Sequence, residues 1–173
     1  MMIRTFVRAI LALAFAATLF GTTSATASAE ETSNSGSTTT TAAKAMASPA
    51  MDPEVYERKV QYWINQVRLN RGLSKVRWES CTDTVAERWS SYLARTLEFF
   101  HQDLGALIDG CNARYAGETL AKGPIGPRGI VRAWMNSDGH RAILLSSKPK
   151  RIGVGAYADE NGYWVVAANF SRF

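Results

Sequence analysis

Only one stretch of this chain is apolar enough to enter a membrane, and it is too short to cross one. It is the 12-residue run AILALAFAATLF at 9–20, well below the roughly 20 residues a spanning helix needs. Preceded by Arg4 and Arg8 and followed by Ala27 and Ala29, it reads as a signal peptide over 1–29, with cleavage after Ala29. No cysteine lies near that point, which argues against a lipid-anchored start, and no later run is apolar enough to span. A secreted, extracellular product with no transmembrane segment is expected. The charge is formally +5, but loss of Arg4 and Arg8 leaves 18 basic against 15 acidic residues, or +3. Apart from KPKR at 148–151 the basic residues are scattered, so no nucleic-acid partner is expected. The chain also lacks a Gly-x-Ser-x-Gly elbow, a His-Glu-x-x-His pair and carboxylates at glycosidase spacing, which removes the commonest hydrolase signatures.

Residues 30–51 hold nine Ser or Thr and no aromatic or branched aliphatic side chain. Such a segment buries too little apolar area to offset the entropy of ordering it, so it reads as a disordered Ser/Thr/Ala-rich linker. The remainder, 52–173, suits one domain, expected as a monomer. There are only two cysteines. In a chain addressed to an oxidising compartment they read as one disulfide, Cys81–Cys111. Two buried free thiols, or a Cys111 nucleophile beside His101, are the alternatives, and the second leaves Cys81 without a partner.

Along the domain, Asp52 and Pro53 open a helix whose inner stripe is Tyr56, Val60, Trp63, Ile64 and Val67, ended by Gly72. A second helix, capped by Thr82 or Ser80, carries Val85, Ala86, Trp89, Leu93 and Leu97 inward and delivers His101 past its end. A loop at 102–115 carries Cys111, and YAGETLAKG reads as a strand or extended turn. Pro127 starts a third helix, and Gly139 places His140 at the head of a short helical piece. RIGVGAYA and YWVVAANF, joined by DENG, read as a hairpin. The class is α+β, layered helix–sheet–helix.

His101, Glu118 and His140 fall in three segments, each near a helix end or glycine turn, where side chains can converge on a cleft. Two imidazoles and a carboxylate can hold a divalent ion or form a metal-free polar core. The order of INQVRLNRGLSKVRW, FFHQDL, AGETLAKG, AWMNSDGHRAILL and RIGVGAYADENGYWVVAANF closely resembles the bacterial secreted branch of the CAP superfamily, the SCP-like extracellular domain. The superfamily takes its name from cysteine-rich secretory proteins, antigen 5 and pathogenesis-related 1 proteins.

The resemblance covers about residues 54–173. It implies a three-layer α–β–α sandwich with a small antiparallel sheet and a cavity of two histidines and two glutamates. His101, Glu118 and His140 match three of these positions, and Ser137 stands where the second glutamate would be. Thr119 and Ile143 replace two expected asparagines. The resemblance further implies Zn or another divalent cation held by His101 and His140, with Glu118 orienting, and lipid or cell-surface ligands, for which the loops 102–115 and 123–129 are candidates. No organic cofactor is expected. The first reading is therefore a secreted binding module, without assigned catalytic residues. A metal-dependent peptide or ester hydrolase using water held by His101, His140 and Glu118 is the second. A polar core with function elsewhere is the third.

Overall fold

Helix α1 (Pro53–Leu69) begins as its sequence dictates: Asp52 accepts from the Val55 amide and Pro53 occupies the first helical position. The structure, a computed structural model, describes residues 51–173. The expected signal peptide, and the expected linker except for Met51, lie outside the described residues. After α1 come β1 (Arg77–Trp78), α2 (Ser80–Thr96), α3 (Gly105–Ile108), β2 (Tyr115–Gly123), α4 (Pro127–Asn136), α5 (Asp138–Leu144), β3 (Arg151–Ala158) and β4 (Trp164–Arg172).

The four strands form one sheet in the order β1-β3-β4-β2. The β3–β4 and β4–β2 pairs are antiparallel, and two-residue β1 adds in parallel at Arg151 and Ile152. Side chains alternate between faces along each strand. Val166, Ala168 and Phe170 of β4 therefore join α1, α4 and α5 in one core with Tyr56, Ile64, Ile130 and Trp134. Val165 and Ala167 face the other way, where Ala86, Leu93 and Ala94 of α2 pack with Leu120. The result is the expected helix–sheet–helix sandwich.

Helix α2 lies against β3 with almost no side chain between them. A Cβ at Gly153 would sit 2.2 Å from the Asp83 backbone, and one at Gly155 would sit 2.5 Å from the Ala86 carbonyl oxygen. The helix starts one residue earlier than its hydroxyl residues suggested. Glu79 is the cap, accepting from the amides of Cys81 (3.1 Å) and Thr82 (2.8 Å). Burial alone would raise its carboxyl pKa, but the hydrogen bonds from Thr82, Cys81 and Ser80 outweigh burial and hold it below the usual range. The Thr82 hydroxyl instead bridges Glu79 and Ser171, 2.7 Å from each. Leu97, expected in the inward stripe, is 45% exposed. It adopts a left-handed φ of 62° as the C-cap, and that turn ends the helical periodicity before Leu97 can reach the core.

Arg68, in the last turn of α1, is 1% exposed. It donates to the Ser74 carbonyl (2.9 Å) and to the carbonyls of Leu144 (2.7 Å) and Ser146 (2.8 Å) at the end of α5. Buried charge of this kind persists only where acceptors replace water.

Candidate functional site

β2 is the outer strand of the sheet, and the β2–β4 register sets Glu118 opposite Asn169. Glu118 is 4% exposed, so its carboxylate must find donors inside the protein. They come from the chain that returns after α2. His101 Nδ1 lies 2.5 Å from Glu118 Oε1. The Gln102 amide reaches the same oxygen at 3.4 Å. The Gln102 side-chain Nε2 donates to Glu118 Oε2 at 2.5 Å and to Asn169 Oδ1 at 2.9 Å. Both carboxylate oxygens are thus engaged by N–H donors, three from two adjacent residues.

A carboxylate can only accept, so Nδ1 is the nitrogen that carries the proton towards Glu118. In the neutral ring of that tautomer Nε2 keeps its lone pair. His101 remains open to solvent, its side chain 58% exposed against 2% for Glu118. The Cys81–Cys111 disulfide ties the segment after α3 to the first turn of α2, with Cα atoms 5.9 Å apart. The returning chain that carries His101 and Gln102 lies between those two points. No cysteine is free among the described residues, so the free-thiol and nucleophile alternatives both fall.

His140 arrives from the other side, in the first turn of α5. Its ring centroid is 6.1 Å from that of His101, the planes tilted by 50°. Burial, then the neighbouring His101, lower its pKa, and Glu118 opposes them. The net effect favours the neutral imidazole. The structure thus brings His101, Glu118 and His140 close to one another.

Ser137 behaves differently. It is the junction between α4 and α5, and its hydroxyl caps neither helix. The other two departures have separate consequences. Ile143 packs against the apolar core, with its Cγ2 3.3 Å from where a Gly117 Cβ would stand. Thr119 is fully buried and its hydroxyl finds no hydrogen-bond partner among the described residues. The two participants that sequence reading missed are Gln102 and Asn169. Adjacency to His101 was the only signal for Gln102. Nothing short of the β2–β4 register points to Asn169.

The two loops singled out as surface candidates are both anchored. The 102–115 segment contains α3, whose Leu107 is fully buried. In 123–129, the Ile125 carbonyl accepts from the Tyr56 hydroxyl at 2.5 Å. Among the described residues no helix is long and apolar enough to cross a membrane.

As a metal site the arrangement supplies two donors. Two imidazoles bound to one ion at about 2.0–2.1 Å place their centroids roughly 5–6 Å apart, and the His101–His140 separation of 6.1 Å lies just beyond that range. Glu118 is held off by its own hydrogen bonds. Among the described residues no group of three or more His, Cys, Asp or Glu side chains converges in a metal-holding arrangement.

Comparison with known proteins bears on the family and the fold. The chain is 34% identical over 116 residues to YkwD of Bacillus subtilis (strain 168), covering 63% of this chain and 45% of YkwD. It is 31% identical over 106 residues to the membrane protein YlbC of the same organism, covering 57% of this chain and 31% of YlbC. It thus spans less than half the length of these two relatives.

Among solved structures, an extracellular protein containing a SCP domain from Bacillus anthracis str. Ames superposes with a TM-score of 0.62 at 24% identity. That match covers 70% of this chain and 41% of the other. An outer surface protein from Borrelia burgdorferi gives 0.65 at 18% identity, over 70% and 96%. At these identities the structures speak for the fold. The profile of the cysteine-rich secretory protein family, CAP, matches residues 61–169 and takes in His101, Glu118 and His140. With the motif order and the sandwich in agreement, this chain belongs to the CAP family.

Proposed function

We propose that this chain is an exported CAP-domain binding protein in which His101 and His140 receive a divalent cation while Glu118 and Gln102 hold His101 in the binding tautomer. The observation that carries this reading is the 2.5 Å contact between His101 Nδ1 and a buried Glu118. A carboxylate on one ring nitrogen fixes the tautomer and raises the ligand strength of the other. When bound, the ion supplies Lewis acidity for an oxygen donor on a ligand. A cleavage reaction would need a carboxylate free to take a proton from water, whereas both Glu118 oxygens are already engaged. Export rests on the 1–29 leader and on neighbours described as extracellular or outer-surface proteins. For the same reason the natural ligand is proposed to lie at a cell surface.

Calorimetric titration of the purified domain with zinc tests the site. The His101→Ala, His140→Ala double variant should lose binding, and Glu118→Gln should weaken it by about tenfold or more, the usual cost of losing an outer carboxylate. Equal zinc uptake by the parent and the double variant overturns the reading. Unchanged affinity in Glu118→Gln removes the orienting role and leaves Glu118 a structural residue.

A further inference from the structure

Basic residues that lie far apart in the sequence meet at one end of the sheet. The strand register places Arg77 of β1 beside Arg151 of β3, and Arg172 of β4 opposite Tyr115 of β2. Residues just before β2 and β3 join the same end. The Arg77 amide donates to the Lys150 carbonyl (3.0 Å), the Lys150 amide to that of Ser171 (2.9 Å), and the Arg114 amide to that of Arg172 (2.6 Å). The Lys148 ammonium stands 5.9 Å from the centre of the Tyr115 ring. Of these six cations only Arg151 is half-buried, and the other five are exposed.

None of the four ion pairs among the described residues involves any of the six. Glu79, the carboxylate that follows β1, is taken up by the amides of Cys81 and Thr82. Like charges set opposite one another across a sheet repel, so the Arg77–Arg151 neighbours oppose the pairing that holds β1. The rest of the chain leans the other way. After the leader it holds 18 basic and 15 acidic residues, and setting these six aside leaves 12 basic against 15 acidic. The protein is polarised, and a positive end of this kind attracts and orients a polyanion.

The placement of the six selects the kind of polyanion. Ser171 points toward α2, where its hydroxyl meets that of Thr82 at 2.7 Å. Arg151 and Arg77 share its face by register. Arg172, next along β4, lies on the other face with Tyr115, which packs against the core on the α1 side. The cations therefore rim both faces of the sheet end. A planar membrane meets one such face at a time, whereas a flexible chain can run from one to the other. Four of the six are arginines, whose planar fork matches the oxygens of a phosphate. We propose that this end of the sheet is a docking surface for a flexible phosphodiester polymer at the cell surface. The proposal takes its cell-surface setting from the reading above and is independent of the imidazole pair.

Fluorescence anisotropy of a labelled poly(glycerol phosphate) chain, titrated with the purified protein and its variants, tests the surface. Arg77→Gln, Arg151→Gln strips the α2 side, and Lys148→Gln, Arg172→Gln strips the other. Each double variant should weaken binding roughly tenfold or more at about 0.15 M salt, and should flatten the fall of log affinity with log salt because fewer counterions are displaced. Arg88→Gln, Arg132→Gln makes the same change in net charge on α2 and α4. Screening over about 8 Å should keep its affinity within about twofold of the parent. Full binding by either of the first two variants overturns the proposal, as does an equal loss in the control.

Phosphatidylglycerol vesicles present the same phosphodiester on a plane, and single-stranded DNA presents it on a nucleic acid. Tighter binding of either, per phosphate, overturns the assignment to a polymer. Removing the Arg77–Arg151 repulsion should leave Tm unchanged or raised, which separates lost binding from lost fold. Should a double variant not fold, the parent decides: affinity that does not fall with rising salt overturns the proposal. Zinc titrations of both double variants should match the parent, so failure here and failure of the imidazole reading are told apart.

Discussion

Gly153→Ala is expected to leave the domain unfolded or only marginally folded. The added methyl carbon would stand 2.2 Å from both Cα and N of Asp83 and 2.4 Å from the Thr82 carbonyl carbon. All three are backbone atoms, so no side-chain rotation relieves the overlap. Helix α2 would have to lift from the sheet. Lifting it breaks the Asp83–Val154 and Thr82–Ser171 hydrogen bonds and separates Ala86, Leu93 and Ala94 from Val165 and Ala167. Overpacking that side chains absorb costs about 1–3 kcal/mol; a backbone collision should exceed that, at about 4 kcal/mol or more. Domains of this size have roughly 5–15 kcal/mol in total. Thermal denaturation followed by circular dichroism should show a Tm lower by roughly 15 °C or more. A shift of only a few degrees would mean that α2 can slide along β3 at little cost.

Removing the disulfide is expected to have the next largest effect. The Cys81→Ala, Cys111→Ala double variant frees a loop closed over a sequence separation of 30, worth about 3–4 kcal/mol in the chain-entropy description. The loop includes α3 and the residues that satisfy Glu118, so the loss should reach the site as well. Leu107 and Ala113, both buried, would still dock the segment, but His101 and Gln102 would be held by packing alone. Urea unfolding of the double variant against the parent measures the difference. A loss below about 1 kcal/mol would show that the apolar anchors suffice and that the cross-link adds little.

Much of this molecule is legible in its residues because local rules and tertiary demands agree. Asp52-Pro53 starts α1, and Pro127 sits in the first turn of α4 as placed. The turn DENG closes the last hairpin, with Asp159 Oδ1 accepting the amides of Asn161 and Tyr163 at 2.9 Å each. His101, Glu118 and His140 were found through motif order, since no single spacing announces them.

The misreadings have physical causes. Glu is a less favoured cap than Ser or Thr, yet the two amides it satisfies and its contact with Thr82 made Glu79 the better choice here. Leu97 fits an apolar stripe by number but lies one residue beyond the helix that would have turned it inward. β1 is two residues long and has no periodicity to read. Gln102 and Asn169 are brought to Glu118 by strand register and layer packing, which no local pattern encodes.

Arg68 carries a consequence for any mutational survey of the imidazole pair. Its three carbonyl acceptors include the last turn of α5, the helix whose opposite end bears His140. The aim of that histidine is therefore inherited from the last turn of the domain's first helix. A screen for altered ligand capture should recover substitutions at a position that touches neither ring, and their defects should trace to geometry while the ligating atoms are intact.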